Sequence, residues 1–118
     1  MKIRIKICGI TRDEDLVAAI GAGADAIGFV VGVPTSKRNL SPEKAASLVR
    51  QVPVFTSSVL VMVPNTLSDL TETYDRVRPD ILQIHGKGVP KVAEIRQAIP
   101  GATLIKGIRS EPGRVLKA

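Results

Sequence analysis

The sequence predicts an α/β protein built on a parallel sheet. Five short apolar segments alternate with segments that begin on helix-capping residues, and the connections between them are short. The apolar segments are continuous rather than alternating, most clearly at 25–32, as suits strands buried on both faces.

The first strand is expected over 3–8, rich in isoleucine and stopped by Gly9. Thr11 and Glu14 stand at capping-box spacing, so a helix is expected to open on Thr11 and to stop in the glycines at 21 and 23. A second strand follows over 25–32, then a loop over 33–40. Ser41, Pro42 and Glu43 supply an N-cap, a proline at the first helical position and an acid in the first turn. A third strand is expected over 57–63, with Thr66 and Asp69 capping the helix after it. The fourth strand covers 80–85, its helix 90–99, and the fifth strand 102–108. Ser110, Glu111 and Pro112 read as the start of a fifth helix.

Short right-handed crossovers between parallel strands leave two architectures, an open doubly wound sheet or part of a (β/α)8 barrel. The 118 residues suit a single domain. Length favours the open sheet, because a complete barrel takes roughly 200 residues or more. With 44% hydrophobic and 24% charged residues, the composition excludes a disordered tail, a collagen-like fibre and a disulfide scaffold. The apolar runs are too short to cross a bilayer, and the alternating charges of residues 2–6 do not resemble a signal peptide. A single cysteine points to the reducing cytoplasm. Seventeen Lys and Arg against eleven Asp and Glu give a net charge of +6, which suits an anionic partner. Nucleic acid is disfavoured, since only Phe29, Phe55 and Tyr74 could stack on bases. A small phosphorylated metabolite fits better.

In both architectures ligands bind at the carboxyl ends of the strands. The first strand ends Lys6-Ile7-Cys8-Gly9 and the fourth Gln83-Ile84-His85-Gly86, each placing two polar side chains on one face. The fifth supplies Lys106 before Gly107. Unpaired buried polar groups cost about 1–3 kcal/mol each, so an inert core would use Val or Ile there. Cys8 is the most reactive candidate; a lone cysteine also serves as a small buried space-filler, but its place beside Lys6 and before a glycine turn favours chemistry. One His and one Cys on separate strands make no recognised metal spacing. There is neither a nucleophile elbow nor a dinucleotide fingerprint. Arg38, in the loop after the second strand, is placed to hold a carboxylate or phosphate.

Taken together, these residues resemble the phosphoribosylanthranilate isomerase family of tryptophan biosynthesis. The segments that carry the resemblance are Lys6-Ile7-Cys8-Gly9-Ile10-Thr11, Gly23-Ala24-Asp25-Ala26-Ile27-Gly28-Phe29, Ser36-Lys37-Arg38 with Leu40-Ser41-Pro42, and Leu82-Gln83-Ile84-His85-Gly86. The resemblance implies a (β/α)8 barrel, here its first five βα units as a partial barrel. It also implies an Amadori rearrangement of N-(5-phosphoribosyl)anthranilate to 1-(2-carboxyphenylamino)-1-deoxyribulose 5-phosphate. In that reaction an acid opens the ribose ring and a base removes the C2′ proton. Cys8 would be the base, Arg38 would hold the anthranilate carboxylate, and Gln83 and His85 would line the substrate site. Lys6 and Lys106 would be supporting polar groups inside the barrel. No cofactor or metal is implied.

The resemblance covers a little over half of the family's barrel. The aspartate acid of its sixth strand and the phosphate loops after its seventh and eighth strands have no counterparts in these 118 residues. The second strand carries Val31 where the family often has an aromatic. The expectation is therefore that this chain alone is incomplete as a catalyst, and that open sheet edges drive self-association. A non-catalytic module that binds a small anion or a complementary barrel fragment is the alternative.

Overall fold

The computed structural model describes residues 2–86 and 90–108. Its strands are β1 (Lys6–Cys8), β2 (Ala26–Val31), β3 (Asn39–Leu40), β4 (Ser57–Met62), β5 (Ile81–Ile84) and β6 (Thr103–Lys106). The helices are α1 (Asp13–Gly21), α2 (Pro42–Val49), α3 (Leu67–Val77) and α4 (Val92–Ala98). The expected fifth helix lies outside the described residues. Among those residues no helix is long and apolar enough to cross a membrane.

All pairings are parallel, in the order β1-β2-β4-β5-β6, with β3 beside β2. The order follows the chain without a reversal, so the switch point of a doubly wound sheet is missing. The core agrees. Ile27, Phe29, Leu60, Met62, Leu82 and Ile84 alternate onto one face of the sheet and join a single buried cluster with Leu16 of α1, Leu48 of α2, Leu70 of α3 and Ile95 of α4. All four helices thus pack on the same face. On the other face Val59 and Val61 are buried as well, without helix cover, which requires the sheet to curl over that face. The open-sheet expectation favoured by length is overturned by strand order and by one-sided helix packing.

Local signals account for most boundaries. Ser41 caps α2 by accepting from the Lys44 N–H at 3.1 Å, and Thr66 caps α3 by accepting from the Asp69 N–H at 3.1 Å. Thr11 does not cap α1. That helix begins one residue later on Arg12, which makes no side-chain cap. Asp13, Glu14 and Asp15 crowd its first turn, where the helix dipole favours negative charge, and Arg12 bridges Asp15 at 3.2 Å. β1 is shorter than expected because the Ile5 N–H donates to the Asp25 carboxylate at 2.8 Å, taking it out of the backbone ladder. Ser58, almost wholly buried, is pinned in the same way. Its N–H donates to Asp80 Oδ2 at 2.8 Å, while its hydroxyl accepts from the Asp80 N–H at 2.9 Å.

Candidate active site

β1 runs beside β2 only as far as Cys8 opposite Gly28, after which the N–H groups of Gly9 and Ile10 both donate to the Gly28 carbonyl. β3 then takes the vacated side of β2, with Asn39 opposite Val30. The loop expected over 33–40 therefore ends in a strand. Its turn is closed by the Ser36 N–H donating to the Val33 carbonyl at 2.9 Å and by Asn39 Oδ1 accepting from the Val33 N–H at 2.8 Å. This exchange of neighbours carries Arg38 over the end of β1. Its Nη1 donates to the Gly9 carbonyl at 3.3 Å. Gly9 has φ +82, and a Cβ there would stand 3.2 Å from Arg38 Cγ. Gly9 thus serves a left-handed turn and a close approach at once.

On the helix-free face, Cys8 and Lys6 lie against Gly28. A Cβ at Gly28 would meet Cys8 Sγ at 2.9 Å and Lys6 Cε at 3.2 Å. The absence of that Cβ lets the lysine stem cross toward β5, where its ammonium donates to Gln83 Oε1. Gln83 Nε2 in turn lies 2.7 Å from His85 Nε2. The His85 ring rests over Gly107, where a Cβ would fall 2.1 Å from both Nδ1 and Cε1. A polar line thus joins β1, β5 and the end of β6.

The structure brings Lys6, Cys8, Gln83 and His85 onto one face, with Arg38 at its rim. Cys8 is a free thiol exposed on that face. Lys106 is not part of this group. It pairs with Ile84, one residue out of step with Gln83, and alternates with Leu104, which packs against the helix-side core. Its place inside the barrel is corrected to the helix side, because a one-residue step in a strand exchanges the faces. Reading the sequence missed the two glycines, Gly28 and Gly107, that make room for these side chains. Their signal was present in the interruption of otherwise apolar strands.

A separate cleft of about 560 Å³ opens between α2 and α3, lined in part by Asn39, Asn65, Asp69, Glu72 and Arg76. It lies on the helix side of the sheet, against Val31, Leu40 and Met62, and holds none of the predicted site residues. The helix-free face is the better candidate, because it gathers the Cys8 thiol, the His85 imidazole and the cations of Lys6 and Arg38. Among the described residues no group of three or more His, Cys, Asp and Glu side chains could hold a metal ion.

A sequential parallel sheet with its helices on one face and its polar groups at the strand ends on the other defines a barrel-type α/β protein. A model of the N-(5′-phosphoribosyl)anthranilate (PRA) isomerase family matches residues 5–111, and the chain belongs to that family. It is 46% identical over 91 residues to the N-(5′-phosphoribosyl)anthranilate isomerase of Bordetella pertussis, covering 77% of this chain and 41% of that protein. The isomerase of Methanocella arvoryzae is 38% identical over 117 residues, covering 98% of this chain and 55% of the relative. Among solved structures, a phosphoribosyl anthranilate isomerase in complex with reduced 1-(o-carboxyphenylamino)-1-deoxyribulose 5-phosphate matches with a TM-score of 0.77. Its sequence identity is 34%, over 89% of this chain and 53% of that one. The chain spans about half the length of the relatives it matches. Membership does not favour the non-catalytic module.

Proposed function

We propose that this chain forms the first five βα units of a barrel that isomerises N-(5-phosphoribosyl)anthranilate to 1-(2-carboxyphenylamino)-1-deoxyribulose 5-phosphate. The observation that carries the reading is the convergence of Cys8, Gln83 and His85 on one face with Arg38 at its rim, in a chain of this family. The reaction is a pair of proton transfers, which positioned acid and base groups accomplish. Cys8, at the carboxyl end of β1, is the base for the C2′ proton. Arg38 presents a planar fork for the anthranilate carboxylate. Gln83 and His85 line the substrate beside it. A free, exposed thiol in this role fits the reducing cytoplasm.

Neither Asp25 nor Asp80 supplies the acid. Both sit at the amino ends of their strands and spend their carboxylates on backbone N–H groups. β1 has one strand neighbour among the described residues and leaves Ile3, Ile5 and Ile7 exposed beside it. A complementary half-barrel, or a second copy, would cover that edge.

The test is turnover by this chain alone and after mixing with the carboxyl-terminal part of the Methanocella arvoryzae relative. Turnover in the mixture, nearly abolished by Cys8→Ser, is the expected result. Arg38→Ala should act mainly by raising KM. A mixture that turns over at the same rate with Cys8→Ser would remove Cys8 from the chemistry. Sedimentation of the chain as a single monomer, with no binding of an apolar dye, would count against edge pairing.

A further inference from the structure

The geometry points to Lys6 and Gln83 as positioning residues that hold the His85 imidazole in one tautomer, with its proton on Nδ1. Donors and acceptors along the line fix each group's orientation. An ammonium has three N–H donors and no acceptor, so the atom of Gln83 that meets Lys6 Nζ is the carbonyl Oε1. The other end of the amide, 2.7 Å from His85 Nε2, is therefore the NH2 group. An NH2 group donates, so His85 Nε2 accepts and carries no proton. The single ring proton sits on Nδ1, and the ring presents a fixed N–H donor at its edge over Gly107.

Each alternative arrangement places two donors face to face. Turning the amide would point its NH2 at the ammonium and its carbonyl at Nε2. Moving the ring proton to Nε2 would set it against the amide N–H. The first loses the charge-assisted hydrogen bond to Lys6 and the second the hydrogen bond to Nε2, a bias of roughly tenfold. The reach from β1 to β5 depends on Gly28, against which the lysine stem lies. The charged or titratable groups facing this line from the described strands are Lys6 and Cys8 on β1; Lys106 lies on the opposite face.

What this supplies to a ligand is specific. An Nδ1–H donor suits an oxygen acceptor such as a carboxylate, phosphate or hydroxyl. Its relevance to turnover rests on the isomerase reading, whereas the tautomer itself does not.

The chain holds one histidine, so a long-range ¹⁵N–¹H correlation spectrum contains a single imidazole. Recorded on the 118-residue chain at alkaline pH, it should show Nδ1 protonated and Nε2 unprotonated. Lys6→Met frees the amide to turn and should give a mixture of tautomers, and Lys6→Arg should restore the original pattern. Gln83→Glu replaces the donor with a carboxylate that only accepts, so the ring proton should move to Nε2. A protonated Nε2 in the unaltered chain, or a Gln83→Glu spectrum identical to it, would overturn the inference. Neither result depends on catalysis, so failure here and failure of the proposed activity are separable.

Discussion

Gly28→Ala is the most informative single change, because it adds one methyl group at the point where the site's side chains converge. The new Cβ would stand 2.9 Å from Cys8 Sγ, 3.2 Å from Lys6 Cε and 3.3 Å from Cys8 Cα. Comfortable contact between carbon atoms begins near about 3.5 Å. The lysine stem is flexible and can yield. The cysteine cannot do so cheaply, because its Cα belongs to β1 and is also crowded. Either Sγ changes rotamer or β1 moves away from β2. Overpacking of this kind costs about 1–3 kcal/mol. At roughly 4 °C per kcal/mol for a chain of this size, Tm should fall by about 4–12 °C.

Two measurements check this together. Thermal unfolding reads the cost, and the rate of reaction with a thiol reagent reads the displacement of Sγ, since Cys8 is the only cysteine. Gly21→Ala is the control. Nothing lies within 4 Å of a Cβ there, at the end of α1, so alanine should stabilise by about 0.5–1 kcal/mol. A Gly28→Ala protein with Tm within about 1 °C of the parent and an unchanged thiol rate would refute the close approach of Cys8 to β2.

The remaining expectations concern the scaffold and can be read by denaturant unfolding. Asp80→Ala orphans the buried N–H of Ser58 and should cost about 1–3 kcal/mol, with Ser58→Ala costing less because the carboxylate still accepts the backbone N–H. Thr66→Ala should cost about 1 kcal/mol through the lost cap of α3, while Thr11→Ala, whose side chain caps nothing, should stay within about 0.5 kcal/mol of the parent. An equal loss from both threonine changes would contradict the assigned helix starts.

How much of this was legible in the sequence follows from the range of the forces involved. Ser41 and Thr66 announced their helices because capping is settled within four residues. Thr11 and Glu14 have the same spacing and failed, because three consecutive acids offered the dipole a competing start one residue later. β3 was read as loop because a two-residue strand has no periodicity of its own. It exists because β1 leaves β2 after Gly28 and exposes ladder groups that the returning chain can pair. The preference for an open sheet came from length, a property that carries no information about strand order. Strand order is set by nonlocal pairing, so it was legible only through the family resemblance, which implied the barrel-type fold, and not through length.

Lys6 and Lys106 show why the site was only partly legible. Both are lysines in a short strand that runs into a glycine, Lys6 three residues before Gly9 and Lys106 one residue before Gly107. Their faces differ because strand register assigns Lys6 the parity of Gly28 and Gln83, and Lys106 the parity of Ile84. The strand 103–106 reads Thr-Leu-Ile-Lys, with an apolar residue on each face, so the sequence offers no contrast to decide which side is the core. In β5 the contrast exists. Leu82 and Ile84 are buried and Gln83 stands between them, so the polar residue marks the other face. Chemistry in this fold is therefore predictable from sequence where a polar side chain interrupts a buried pair. Where both faces are apolar, only the partner strand decides.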